Sequence, residues 1–291
     1  MCFRHGRWSG ATDGHGRLTP AVERNDGQIR MTRFQTLIIG VATSLLVVMP
    51  LPPAHAEDAS SNASGESLLE KSQNPISDLI SVPFQFNVNF NVGQLDGTQM
   101  LLNVQPVYPA TLNEKWNLII RPITPVIYNP ALVPGGASTF GIGDLNPQFF
   151  FSPSTPARTT LGDLTWGVGP AFLLPTASHD PMGTGKWSAA PAAVVFFLRT
   201  PFTYGALIQN YFSFAGEDGR PDVNQFVMQP FLNYNLGKGW SLGTAPIIIA
   251  NWEADERRWT LPLGGGVTKL IKFRQQPVSL ILRGYHNVLR P

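Results

Sequence analysis

The stretch "VPFQFNVNFNVG", residues 82–93, alternates strictly: Phe84, Phe86, Val88, Phe90 and Val92 fall on one face, and Gln85, Asn87, Asn89 and Asn91 on the other. Such a period of two belongs to a strand, because a helix would scatter the same residues around its circumference. Ten comparable segments follow, at about 98–110, 115–128, 139–151, 164–175, 186–198, 203–214, 223–236, 239–252, 258–271 and 277–288. Each runs for roughly 12 to 14 residues. Strands of water-soluble domains average about five or six residues, whereas a tilted strand that crosses a bilayer needs about nine to eleven plus its margins. Strand length therefore points to a membrane.

Composition agrees. Charged residues are 14% of the chain, against about 25% in an ordinary soluble domain, and Gly (28) and Pro (26) are both abundant. A mean hydropathy of -0.01 is too polar for a bundle of membrane helices. After residue 56 no uninterrupted apolar run approaches the roughly 20 residues of a spanning helix, which leaves a β-barrel.

One apolar run does precede the strands. In "MTRFQTLIIGVATSLLVVMPLPPAHAED", beginning at Met31, Arg33 supplies a positive n-region and Leu37 to Leu51 an apolar core, and Ala54 and Ala56 frame an A-x-A cleavage site. The run is short and ends in prolines, so it reads as a secretory signal peptide over 31–56 rather than a permanent anchor. Residues 1–30, rich in Arg and Gly and without pattern, read as an upstream extension. Cleavage removes the single cysteine, Cys2, and leaves 15 Lys and Arg against 16 Asp and Glu. The apparent basicity belongs to the removed part, so no basic footprint argues for nucleic acid. Residues 57–75 are polar and rich in small residues, and are expected to be a flexible periplasmic segment with at most a short helical turn.

The connections between strands alternate. Most odd-numbered ones ("NPALVPGGAS", "TASHDPMGTG", "AGEDGRPD", "EADERR") are long or charged, and most even-numbered ones ("TLNE", "RTPF", "LGKG") are tight. Outer-membrane barrels have short periplasmic turns and longer external loops, so the N-terminus falls in the periplasm. The first connection, "QLDG", is shorter and the fourth, "SPSTPARTTLGD", longer than this scheme expects. Trp116, Trp166, Trp187, Trp240 and Trp259 lie at or near strand starts and Trp252 at a strand end, which is where interfacial aromatic girdles sit. Proline is the objection: Pro106, Pro122, Pro147, Pro170, Pro191, Pro230, Pro246 and Pro262 fall inside strands and each removes a ladder N–H. The expectation is that they mark bulges or positions near the rim.

The segments "QNPISDLISVPFQ", "FGIGDLNPQFFFSP", "WGVGPAFLLPTA", "GKWSAAPAAVV", "VNQFVMQPFLNYNL" and "NWEADERRWTLPLGGGV", in this order and spacing, resemble the meta-pathway of phenol degradation family of bacterial outer-membrane proteins. The resemblance covers about residues 70–291. It implies an all-β fold, a transmembrane antiparallel up-and-down barrel of about 12 strands over 76–291, and uptake of small hydrophobic or aromatic compounds. Members of the family continue into a further strand, whereas this sequence stops at Pro291. It implies a missing last strand, an open seam, and loss of the terminal aromatic used by the outer-membrane assembly machinery.

Catalytic and cofactor chemistry is sparse. After residue 56 only His179 and His286 remain, neither with metal-ligand spacing, and "GTGKW" lacks the Ser or Thr of a phosphate loop. No serine nucleophile signature accompanies His286, the one inward-looking candidate for a site in the barrel. What remains is a lined interior. With the amide face inward, the lumen carries Gln85, Asn87, Asn89, Asn103, Gln105, Arg121, Asp144, Asn146, Gln148, Gln225, Gln229, Asn233 and Arg283, and lipid meets Phe84, Phe86, Leu118, Phe149, Phe151, Phe226 and Leu232. An Arg facing lipid at mid-depth costs about 2–4 kcal/mol, which turns Arg121 and Arg283 inward, where Asp144 could pair with them as a constriction or a structural ion pair. The resulting expectation is a channel without cofactor, in outer-membrane lipid, for small hydrophobic or aromatic solutes. The alternative is a structural or adhesive barrel with a plugged lumen.

Overall fold

Long alternating segments satisfy their backbone only by pairing on both sides, and in this chain they do so around a closed ring. The computed structural model describes residues 40–48, 69–77, 79–273 and 276–291. The upstream extension 1–30 and the cleavage residues Ala54 and Ala56 lie outside them. In chain order the strands are β1 (Gly40–Val48), β2 (Ser81–Val92), β3 (Gly97–Val104), β4 (Tyr108–Thr111), β5 (Trp116–Asn129), β6 (Thr139–Ile142), β7 (Asn146–Pro153), β8 (Ala157–Thr159), β9 (Gly162–Leu173), β10 (Lys186–Arg199), β11 (Phe202–Gly216), β12 (Asn224–Gly237), β13 (Trp240–Thr244), β14 (Ile248–Asn251), β15 (Trp259–Phe273) and β16 (Gln276–Leu289). All pairings are antiparallel, and β9 with β10 closes the circuit. β3 with β4, β6 with β7 and β8, and β13 with β14 are pieces of single staves. The ring therefore has twelve staves in up-and-down order. Among the described residues no helix is long and apolar enough to cross a membrane.

Eleven staves correspond to the eleven alternating segments. The twelfth is β1, which pairs with β16 from Gly40 opposite Tyr285 to Val47 opposite Val278, and with β2 from Val41 opposite Val88 to Val48 opposite Ser81. The open seam expected between the first and last strands is thus filled. β1 comes from the apolar core of the expected signal peptide, so one molecule cannot both lose that leader and use it as a stave; the ring described is that of the uncleaved chain.

Even-numbered connections are the tight ones, at 112–115, 160–161, 200–201 and 238–239, and they define a turn end. The fourth is short after all, because β8 pairs with the start of β9 and leaves only 160–161 as the turn. The opposite, loop end carries 93–96, 130–138, 174–185, 217–223 and 252–258.

The prolines are not confined to bulges and rims. Pro122 faces Pro147 across β5 and β7, and Pro170 faces Pro191 across β9 and β10, both in register. Pro230 pairs with Ala206 on one side; on its other side the ladder breaks between β13 and β14, where Pro246 lies. Pro106 lies in the matching break between β3 and β4, opposite Pro122 by the register on either side. Only Pro262 sits at a register shift. Opposed prolines bring the missing donors together, so a given break serves two residues.

Side chains alternate as the pleat requires. Large apolar residues such as Phe86, Phe151, Ile208, Leu232 and Leu282 are exposed on the outside, while Gln105, Gln148, Gln209, Asn233 and Ser279 are buried inside. Part of the interior is instead apolar: Val107, Ile119, Phe150, Ala171, Ala190, Val194 and Leu207 form one cluster with Ile76 of the N-terminal segment. Residues 69–73 make a helical turn, and Leu69 and Ile76 are fully buried. Burying an isoleucine is worth about 1.5–3 kcal/mol, which offsets part of the cost of ordering so polar a stretch, at about 1–2 kcal/mol per residue. β9 accommodates it with Gly167, where an added Cβ would press on both Phe150 and the Ile76 Cδ1.

Candidate functional site

Three polar networks line the lumen. The longest begins on β2, where Gln85 Nε2 donates to Asn87 Oδ1 (3.2 Å) and Gln85 Oε1 accepts from Gln105 Nε2 (3.0 Å). It continues through Arg121, whose Nη2 donates to Gln105 Oε1 (2.6 Å) and Nη1 to Gln148 Oε1 (3.3 Å). Gln148 Nε2 donates onward to Asn146 Oδ1 (2.8 Å) and Gln209 Oε1 (3.4 Å), and Asn146 Nδ2 to the Tyr211 hydroxyl (2.6 Å). A second chain runs from Asn89 Nδ2 to Gln99 Oε1 (2.9 Å), from Gln99 Nε2 to Asn129 Oδ1 (2.7 Å), and from Asn129 Nδ2 to the Pro181 carbonyl (3.4 Å). Amides suit such ladders because each both donates and accepts, so a buried row satisfies itself without net charge.

The third network holds the N-terminal segment at the turn end. Gln73 Nε2 donates to Asn235 Oδ1 (3.1 Å) and Ser241 Oγ (3.2 Å), while Gln73 Oε1 accepts from Thr203 Oγ1 (2.6 Å), itself an acceptor for Asn233 Nδ2 (3.2 Å). Ser72 and Ser279 share a hydroxyl contact of 3.2 Å, and Thr200 Oγ1 donates to Glu70 Oε1 (3.0 Å). Together with Ile76 these contacts make residues 69–77 a plug.

At the loop end, 174–185 folds over the wall. Asp144 accepts from the Thr184 N–H (2.6 Å), the Thr184 hydroxyl (2.9 Å) and the Ala177 N–H (3.2 Å). Asp144 was expected to pair with Arg121 or Arg283; it instead anchors this loop, because three donors aimed at one carboxylate satisfy it more fully than a distant guanidinium. Gly183 makes the approach possible, since a Cβ there would collide with Asp144 Oδ1. Arg220 clasps the loop from outside: its Nε donates to the Thr184 carbonyl (3.2 Å) and its Nη2 to those of Asp180 (2.8 Å) and Gly183. Met182 is buried beneath.

Beside the plug lies a cavity of about 150 Å³. Its walls include Arg121, Arg283, Gln229 and Asn233 beside Leu207, Phe231 and Ile281, and Ser72, Gln73 and Pro75 of the plug close one side. Gln229 Nε2 donates weakly to the Ala245 carbonyl (3.5 Å). Asn103 shares the period-two row of Gln99 on β3, and Gln225 that of Gln229 and Asn233 on β12; both are half-buried. His286 lies on the exposed face of β16 and not in the lumen, so no interior site can use it.

The tryptophans form two groups. Trp116 packs edge-on against Trp166 (5.9 Å) and Trp240 lies under the Lys269 ammonium (4.6 Å), all at the turn end. Trp252 packs edge-on against Trp259 (5.6 Å) at the loop end, where Trp187 opens β10. Trp252 Nε1 donates to Asn210 Oδ1 (2.9 Å).

Sequence reasoning missed Gln99, Asn129, Gln209 and Tyr211 on the wall, the plug residues Leu69, Gln73 and Ile76, and the clasp of Arg220. Gln209 and Tyr211 share the period-two row of Thr203, but that row also holds Leu207. A mixed row carries no amphipathic signal.

No family model matches the chain, and no curated protein matches it. Among solved structures it is similar to an outer membrane channel from Pseudomonas putida F1, with 14% sequence identity over 91% of this chain and 99% of that one, at a TM-score of 0.43.

Proposed function

We propose that the chain is an outer-membrane channel through which small hydrophobic or aromatic molecules diffuse inward past a plug formed by its own N-terminal segment. The observation that carries this reading is the inverted wall: Phe86, Phe151, Ile208 and Leu232 are exposed on the outside of the sheet formed by β2 to β16, while Gln105, Gln148, Gln209 and Asn233 are buried inside it, a pattern that does not depend on β1. Apolar-out and polar-in is the pattern that lipid selects. Export on the leader 31–56, with Ala54 and Ala56 setting the cleavage site, and insertion by the outer-membrane assembly machinery complete the reading. In this reading the lumen's amides and hydroxyls, many of them bonded to one another, serve as a lining and not as a catalytic site.

The test is entry of benzyl alcohol into vesicles whose outer leaflet is lipopolysaccharide, with and without the folded barrel. Faster entry with the barrel is expected; equal rates would defeat the channel. Equal rates would favour a structural barrel with a filled lumen, a second reading motivated by the chain segments that occupy both ends.

A further inference from the structure

Two guanidinium groups face one small cavity whose lining holds no carboxylate among the described residues. Arg121 commits one N–H of each terminal nitrogen to the amide oxygens of Gln105 and Gln148, which leaves donors of its five to spare. Arg283 makes no side-chain hydrogen bond or ion pair among the described residues. Asp144, the natural counter-charge, is spent on the loop at the far end. Two like charges in a partly dehydrated space call for an anion, since amides alone do not neutralise them. The same cavity presents Leu207, Phe231 and Ile281, and its volume of about 150 Å³ is of the order that accommodates a single benzene-sized ring.

We propose that this cavity is a binding site for a small apolar monocarboxylate, its carboxylate held between Arg121 and Arg283 and its hydrocarbon part against Leu207, Phe231 and Ile281. The site names the solute class of the proposed channel and rests on that reading only for the ligand being a transported solute. A guanidinium fork matches a carboxylate in shape as well as charge.

Calorimetric titration of the folded barrel in detergent with benzoate, benzamide and acetate tests the assignment without measuring flux. Benzoate is expected to bind more tightly than either of the others. Arg283→Gln is expected to weaken benzoate by about tenfold or more while leaving benzamide unchanged, and Arg283→Lys to recover part of the loss. Arg121→Gln is the second variant, with heat-modifiable migration reporting whether it folds. Benzamide matching benzoate, acetate matching benzoate, or an unaltered benzoate affinity in Arg283→Gln would each overturn the proposal. Benzoate binding without accelerated solute entry would retain the site and remove the channel; accelerated entry without benzoate preference would do the reverse.

Discussion

If the plug gates the lumen, loosening it should raise flux by an amount set by its docking energy. Ile76 is the residue to change, because it is 2% exposed and joins the cluster of Val107, Ile119, Phe150 and Ala171. Ile76→Ala removes three buried carbons at roughly 0.8 kcal/mol each and leaves a cavity between walls of closed sheet that cannot collapse; the expected loss is about 2–4 kcal/mol. The hydrogen bonds of Gln73, Ser72 and Glu70 remain, so the loss falls on local release of residues 69–77 and not on the ring. At 1.4 kcal/mol per tenfold change, the released population rises by about 30-fold to several hundredfold. Hydrogen exchange across 69–77 should accelerate by that factor while the amides of β10 and β11 stay unchanged. Entry of benzyl alcohol should rise in proportion until release ceases to limit it. Faster exchange with unchanged entry would refute the plug as a gate, and unchanged exchange would refute the packing argument itself.

Asp144→Ala should free 174–185 by removing an acceptor shared by three donors, a loss of about 1–3 kcal/mol, detected as faster proteolytic nicking within that loop while the barrel keeps its heat-modifiable migration. The Lys186–Asp222 pair (3.1 Å) holds the exposed Asp222 carboxyl below its ordinary value, through the hydrogen bond and the charge of Lys186. Its contribution is present above the ordinary carboxylate value, near pH 4, and is lost as pH falls through the lowered one. Nicking within 217–223 should therefore be flat from about pH 5 to 8, rise in acid, and rise with salt across pH 5 to 8, where the pair is intact. Mass spectrometry of the folded protein from outer membranes should find Glu57 as its first residue; recovery of peptides spanning 40–48 would refute the leader assignment and make β1 a lasting stave.

The wall was legible wherever one face met lipid and the other met amides. In β2 the contrast between Phe84 and Gln85 repeats for the whole strand, and strand length excluded a soluble sheet. β10 shows where that logic stops. Its inward row, Ser188, Ala190, Ala192, Val194 and Phe196, is as apolar as its outward row because it packs the plug side of the lumen as a soluble core would. Period two then has no contrast to report. The plug was illegible for a related reason: Leu69 and Ile76 are isolated apolar residues in a polar stretch, and only tertiary packing gives them a partner. The role of Asp144 depended on backbone N–H groups of a loop some forty residues away, which side-chain chemistry in the sequence does not encode. Residues 40–48 serve both readings, because an apolar run of that length suits an export leader as well as a stave.

The opposed prolines have a mechanical consequence. Hydrogen-bonded rungs are what give a sheet its stiffness against sliding of one strand along the next. Around Pro106, Pro122 and Pro147, and again around Pro230 and Pro246, the ladder is interrupted on adjoining staves instead of at scattered points. Shear and ovalisation of the tube therefore concentrate at these soft hinges, while the girdled ends, pinned by paired tryptophans and tight turns, keep their outline.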